Sequence, residues 1–360
     1  MSDDPPGVDL ADHSELDFST VDVTVSPDVE AEITRLLQEN GLELDEQINT
    51  FVVCRKDGHL IGCAGFDRDV IKDVAVTPGL HGAAISLRLG SEVTKLAAAR
   101  GYHDLFLYCR PDNAQRFRGW AFYPLVEIPD VIALMENNPV ALAKYLEKLS
   151  RERHPGKAIG GVVLNANPFT LGHRFLVENA AKGCDWLHVF VVREEAAQFS
   201  YADRFRLVTE GLADIRNVTI HQGSKYIISR ATFPGYFLKT RATIESSFTG
   251  IDLLMFREHI APALGINRRY VGTEPFDATT NCYNASMKHW LADAPSTAAP
   301  IETVVIERLA VDGSPVSASK VRALLSAWDL RAIERLVPST TLAFLEGQAT
   351  PARDRKQGGW

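Results

Sequence analysis

The hydrophobic pattern of the first third of the chain changes period several times. "FSTVDVTV" alternates as a strand, and "DVEAEITRLLQENG" has the helical spacing of an amphipathic segment closed by Gly41. "TFVVCRKDGHLIGCAGF" reads as a hairpin turning at Asp57-Gly58. In "DVAVTPGLHGAAISLRLGSEVTKLAAARG" a strand, a Pro-Gly turn and a long helix ending at Gly101 follow one another. "DLFLYC" predicts another strand and "NAQRFRGWAF" a short helix. The order β-α-β-β-β-α-β-α predicts one α/β domain over residues 17–130. Residues 1–16, acidic and proline-bearing, are expected to be a disordered leader. Residues 131–157, with "ENNPVALAKYLEKL", predict a connecting helix with Asn138 as cap and Pro139 at its first position.

From Ile159 the pattern becomes a regular alternation of strand and helix. "GGVVLN", "WLHVFVV", "NVTIH", "RRYVGT" and "IETVVIERL" are apolar runs of strand length. Between them lie the helical patterns "HRFLVENAA", "SYADRFRLVTEGLAD", "IDLLMFREHIAPALG" and "YNASMKHWLADA", and "SASKVRALLSAW" follows the last strand. Such alternation predicts a doubly wound parallel sheet, a Rossmann-like domain over 158–348 that binds ligands at the C-terminal ends of its strands. Residues 349–360 are expected to be a disordered tail.

Composition narrows the function without naming it. The 360 residues are 46% hydrophobic and 23% charged, as expected of a soluble globular protein; the scattered cysteines read as reduced thiols in a cytoplasm, and the net charge of −8 argues against a nucleic-acid partner. No run approaches the roughly 20 apolar residues of a membrane span. The five cysteines include no C-x-x-C, and the ten histidines form no H-x-x-x-H, so no protein-bound metal site is expected.

Three strand-to-helix turns carry candidate chemistry: "NANPFTLGH", "GTEPF" and "VSASKVR". The simplest reading of His173 is a helix cap. The functional one is a hydrogen-bond donor to a phosphate, with Asn167 and Thr170 as neutral donors and Gly172 allowing close backbone approach. Ser317, Ser319, Lys320 and Arg322 would then clamp further phosphates, although a serine before a helix also caps it.

"TLGH" and "VSASKVR" together resemble the (His/Thr)-x-Gly-His nucleotidyltransferase superfamily. The first domain resembles the GNAT acetyltransferase fold, whose pyrophosphate loop would contain Gly82. It departs from that family in having Gly79 where a basic or amide residue is expected. Wider stretches, among them "NPFTLGHRFLVENAA", "YIISRATFPGYFLK" and "VGTEPFDATTNCYN", resemble the citrate lyase ligases. That resemblance implies an AMP-forming ligase that uses ATP with Mg²⁺ to turn acetate into acetyl-adenylate. The acetyl group then passes to the CoA-like thiol of the citrate lyase acyl-carrier subunit. It implies His173, Lys320 and Arg322 as catalytic residues. The ATP set is Asn165, Asn167, Phe169, Thr170, Gly172, Gly272, Thr273, Glu274, Ser317 and Ser319. Arg193, Lys225, Arg230, Thr232 and Gly82 are candidates for acetate or the incoming arm. The alternatives are a nucleotidyltransferase acting on a phosphorylated acceptor, and a non-catalytic carrier-binding protein.

Overall fold

The computed structural model describes residues 16–80, 83–193, 198–227, 249–273 and 284–354. The candidates Gly82, Arg230, Thr232 and Glu274 lie outside the described residues, as do most of the leader and the last part of the tail. The chain divides into two compact units between Val140 and Ala141.

The first unit is built on a seven-stranded sheet. Its elements are β1 (Leu16–Asp22), α1 (Pro27–Glu39), β2 (Thr50–Lys56), β3 (His59–Asp67), β4 (Val70–Val76), α2 (Ala83–Ala99), β5 (Phe106–Cys109), α3 (Ala114–Arg118), β6 (Tyr123–Ile128) and β7 (Ile132–Glu136). The strand order is β1-β2-β3-β4-β5-β7-β6. Both faces are covered, which explains the unbroken apolar run of β2. Phe51 and Val53 join Ile33 and Leu37 of α1, whereas Val52 and Cys54 join Leu89 and Val93 of α2. Gly90 is required in α2, because a Cβ there would lie 2.2 Å from the Trp120 indole. Parallel strands β4 and β5 pair only at Val70–Phe106 and Ile71–Leu107 before they part.

Two expectations need correction here. Residues 131–157 are not all linker: Ile132–Glu136 is a sheet strand paired with both β5 and β6. Its five residues are all buried, so "IALME" is a short two-sided core strand, which periodicity alone does not separate from a helix. The helix α4 begins only at Ala141 and ends at Ser150. At the other end, a helix runs from Ser339 to Asp354, through the start of the expected tail.

The second unit contains the expected parallel sheet. It comprises β8 (Ile159–Leu164), α5 (Leu171–Lys182), β9 (Trp186–Val191), α6 (Tyr201–Gly211), β10 (Val218–His221), β11 (Arg268–Gly272) and β12 (Glu302–Ile306). A helical run α7 spans 249–264 and another, α8, spans 284–293; each contains a π turn, Phe256–Ile260 and His289–Asp293. After the two-residue strands β13 (Ala310–Val311) and β14 (Ser314–Pro315) come α9 (Ala318–Ser326), α10 (Leu330–Glu334) and α11 (Ser339–Asp354). The sheet order is β10-β9-β8-β11-β12, with every pairing parallel.

Alternation within the strands assigns the faces. Leu187, Val189 and Val191 of β9 pack with Val177 and Leu207, whereas Phe190 packs with Leu149, Phe256 and Ile260. The strand order reverses at β8, the usual ligand position in such a sheet. There β8 and β11 pair only at Gly160–Arg268 and Gly161–Arg269. Their C-terminal halves separate, and a cleft opens between them.

Candidate active site

The cleft measures about 180 Å³, less than the roughly 300–1,000 Å³ that surrounds a whole drug-sized ligand, so it encloses only part of a ligand of that size. Val163, Leu164 and Asn165 line it from β8, Thr170, Gly172 and His173 from the first turn of α5, and Val271 and Gly272 from β11. Glu307 and Arg308 follow β12, and Ser317 and Ala318 open α9.

His173 is both a cap and a cleft residue. Thr170 caps α5: its Oγ1 accepts from the His173 N–H at 3.4 Å, and the Thr170 N–H donates to His173 Nδ1 at 3.1 Å. This is a reciprocal capping box with histidine in the place usually taken by Glu or Gln. Because Nδ1 accepts, the neutral ring carries its proton on Nε2, an assignment made from the hydrogen bonds. Nε2 is therefore a donor. His173 is half-buried overall, but desolvation of the ring, with the Arg308 charge as the second cause, pushes its pKa down to about 4. At neutral pH the imidazole is uncharged and still able to donate.

The turns are fastened to one another. The Leu171 N–H donates to the Leu336 carbonyl at 2.9 Å, and Arg322 Nη1 donates to the Asn167 carbonyl at 2.6 Å. A Cβ on Gly172 would lie 2.9 Å from the Val316 carbonyl, so this glycine lets the first turn approach the last. Ser317 caps α9 by accepting from the Lys320 N–H at 3.2 Å, and the Ser319 hydroxyl lies 3.4 Å from it. The Thr273 N–H donates to the Ile306 carbonyl at 3.0 Å, stapling the ends of β11 and β12.

The structure sorts the sequence candidates into four groups. Asn165, Thr170, Gly172, His173, Gly272 and Ser317 line the cleft. Thr273 and Asn167 hold its turns together. Phe169 is corrected from ligand contact to core: it is fully buried, and its ring packs on Gly211, where a Cβ would meet it at 2.5 Å. Lys320 and Ser319 are exposed, and neither they nor Arg322 lines the described cleft. Arg193 and Lys225 are likewise outside it; Arg193 is exposed, and Lys225 Nζ lies 5.8 Å from the centre of the Tyr226 ring.

Three contributors were missed. Arg308 lines the cleft, yet in the sequence it is one cation at the end of a strand, with no motif around it. Glu307, beside it, is equally unmarked. Arg204 of α6 is completely buried, and its Nη1 donates to the Asn165 carbonyl at 2.6 Å, Asn165 Oδ1 at 2.9 Å and the Val192 carbonyl at 3.0 Å. It fixes the ends of β8 and β9 beneath the site. "SYADRFR" gives no sign that this arginine, unlike Arg206, points inward.

A family model for the citrate lyase ligase C-terminal domain matches residues 159–345, and one for the acetyltransferase (GNAT) family matches residues 14–123. The [citrate [pro-3S]-lyase] ligase of Escherichia coli (strain K12) is 46% identical over 316 residues, covering 88% of this chain and 90% of that protein. The chain belongs to the citrate lyase ligase family. The ligase of Klebsiella pneumoniae is also 46% identical, covering 87% of this chain and 91% of its own, and that of Haemophilus influenzae is 42% identical, covering 87% and 94%. The chain is therefore a ligase with a GNAT-type first domain. The citrate lyase ligase match spans the parallel sheet and all the turns of the cleft.

Among the described residues no group of three or more His, Cys, Asp or Glu is placed to hold a metal ion. No described helix is long and apolar enough to cross a membrane.

Proposed function

We propose that the cleft adenylates a carboxylate, acetate, with ATP as the other substrate. The observation that carries this reading is His173: a neutral imidazole whose Nδ1 is occupied by its own helix cap and whose protonated Nε2 remains to donate. In the first step an acetate oxygen attacks the α-phosphorus of ATP. The bond to the bridging oxygen breaks, and pyrophosphate leaves with the electron pair. Such a reaction needs positioned charge stabilisation more than covalent help. A neutral donor suits it, because it strengthens its bond as charge builds on the phosphate oxygens and loses no proton to the ground state. In the second step the thiolate sulfur of a CoA-like arm on the citrate lyase acyl carrier attacks the acetyl carbonyl. The mixed-anhydride C–O bond breaks, AMP departs, and the thiol proton has gone to solvent.

The residues present fit Mg²⁺ as a companion of the nucleotide: Glu307 supplies a carboxylate among the described lining residues, and Mg²⁺ is commonly held by phosphates plus one or two carboxylates. When bound, it supplies charge neutralisation on the phosphate oxygens. For the first unit, the parting of β4 and β5 supports a role in seating the CoA-like arm. The glycine at position 79 suits its φ of 89°, which disfavours the basic residue of the usual loop.

The test is acetate-dependent exchange of labelled pyrophosphate into ATP by the purified chain without a carrier. Exchange that requires acetate is the expected result. Exchange stimulated by a phosphomonoester and not by acetate would replace this reading with nucleotidyl transfer to a phosphorylated acceptor.

A further inference from the structure

Adenylation needs a cation near the phosphate chain, and the two cations of "VSASKVR" are poorly placed to supply it in the cleft. Lys320 is exposed and outside the lining, and Arg322 spends Nη1 on the Asn167 carbonyl. Arg308 belongs to the lining itself. It is half-buried, it lines the cleft together with His173, and its backbone is fixed from both sides. Its N–H donates to Thr273 Oγ1 at 3.1 Å, while the carbonyl of the next residue, Leu309, accepts from Val316 N–H at 2.9 Å. These bonds tie Arg308 to the end of β11 on one side and to the residue before the α9 cap on the other.

We propose that Arg308 is the catalytic residue that binds the triphosphate of the nucleotide in this cleft, with Thr273 as its positioning residue. This rests on reading the cleft as the nucleotide site. A guanidinium offers a planar fork of donors matched to phosphate oxygens, which a single ammonium does not. Its place in the lining of the same cleft as His173 lets the two share the reacting phosphate: one brings charge, the other a neutral N–H. The charge of Arg308 also adds to the desolvation that keeps the imidazole neutral. The proposal also gives Thr273 a purpose other than nucleotide contact, since its hydroxyl accepts the Arg308 N–H.

The experiment compares wild type, Arg308→Gln, Arg308→Lys and Lys320→Gln. Calorimetry measures binding of ATP and of inorganic pyrophosphate without acetate, and exchange kinetics give KM for acetate. Arg308→Gln should weaken both phosphate ligands by about ten- to a hundredfold, the loss of one charge-assisted contact, with an unchanged melting temperature. Arg308→Lys should recover part of that loss, and it serves as the readout should the glutamine variant fail to fold. ATP and pyrophosphate binding within roughly threefold of wild type in Arg308→Gln would overturn the assignment and leave acetate adenylation standing. So would a loss confined to KM for acetate, or a larger loss in Lys320→Gln than in Arg308→Gln. Arg308-dependent binding without acetate-dependent exchange would keep the assignment and overturn the acetate reading. Failure of the wild type to bind either ligand would overturn both.

Discussion

His173 and the pair His188–His221 occupy the same parallel-sheet unit and have the same kind of electrostatic environment, yet only one of them faces a cleft. His188 on β9 and His221 on β10 lie on the sheet face that carries Phe190, with Nδ1 of the first 2.8 Å from Nε2 of the second. His221 Nδ1 is 3.5 Å from Glu152 Oε2, which places the proton there and makes its Nε2 the acceptor of the His188 N–H. His188 Nε2 is buried without a hydrogen-bond partner among the described residues. Burial, then the His221 and His154 charges, pushes His188 down to about 3; burial, then Lys148, pushes His221 down to about 4. A depressed histidine pKa in this protein therefore does not by itself mark a catalytic group. The distinction lies in the surroundings: the protonated nitrogens of His188 and His221 face side chains of the fold, whereas His173 lines the cleft.

The contrast can be broken most directly at His173. His173→Ala should lower acetate-dependent exchange by about 10²–10⁴-fold, the range for a positioned polar catalyst, with little change in melting temperature. An activity within roughly threefold of wild type would reduce His173 to a cap, and the two regions would no longer differ. Arg204→Met is the next largest effect. It leaves the Asn165 and Val192 carbonyls without their buried donor and should cost about 3 kcal/mol in denaturant unfolding, together with a loss of exchange in the protein that still folds. Loss of stability without loss of exchange would show that the end of β8 needs no such support.

Gly172→Ala should cost about 1–3 kcal/mol, because the Val316 carbonyl in its way is backbone and cannot swing aside. Exchange should fall as well, since the substitution pushes the first and last turns apart. A variant with full activity would mean that their close approach is not needed. A further effect concerns pH. His173, His188 and His221 stay neutral in the fold at about 4, 3 and 4 against an ordinary 6.5, so below 6.5 the unfolded chain binds more protons. Stability should be complete above pH 6.5 and fall as the pH drops toward 4. The double variant His188→Leu, His221→Leu should lose less stability across that interval while it keeps the exchange activity of its folded fraction. An unchanged slope would place the acid sensitivity elsewhere.

Much of this architecture is legible in the sequence because it follows from local rules. Unbroken β-branched runs mark strands buried on both faces, and Ser317 caps the helix it precedes. "IALME" was read as part of a connecting segment because a five-residue core strand carries no period that sets it apart. Phe169 was read as a ligand contact because it sits within the motif; only its packing against Gly211 shows that it anchors the turn from below.

By itself the sequence determined the alternation of elements, the two units and the turns at which chemistry would be found, since each depends on neighbours a few residues apart. Tertiary structure alone decided which polar groups meet. The opening exists because β8 and β11, more than a hundred residues apart, stop pairing after two residues. Arg308, after β12, lines the same cleft as His173, and Arg204, on α6, reaches Asn165 at the end of β8. Pairing between distant segments places these side chains, and no local period or cap encodes where a chain will next pass beside itself.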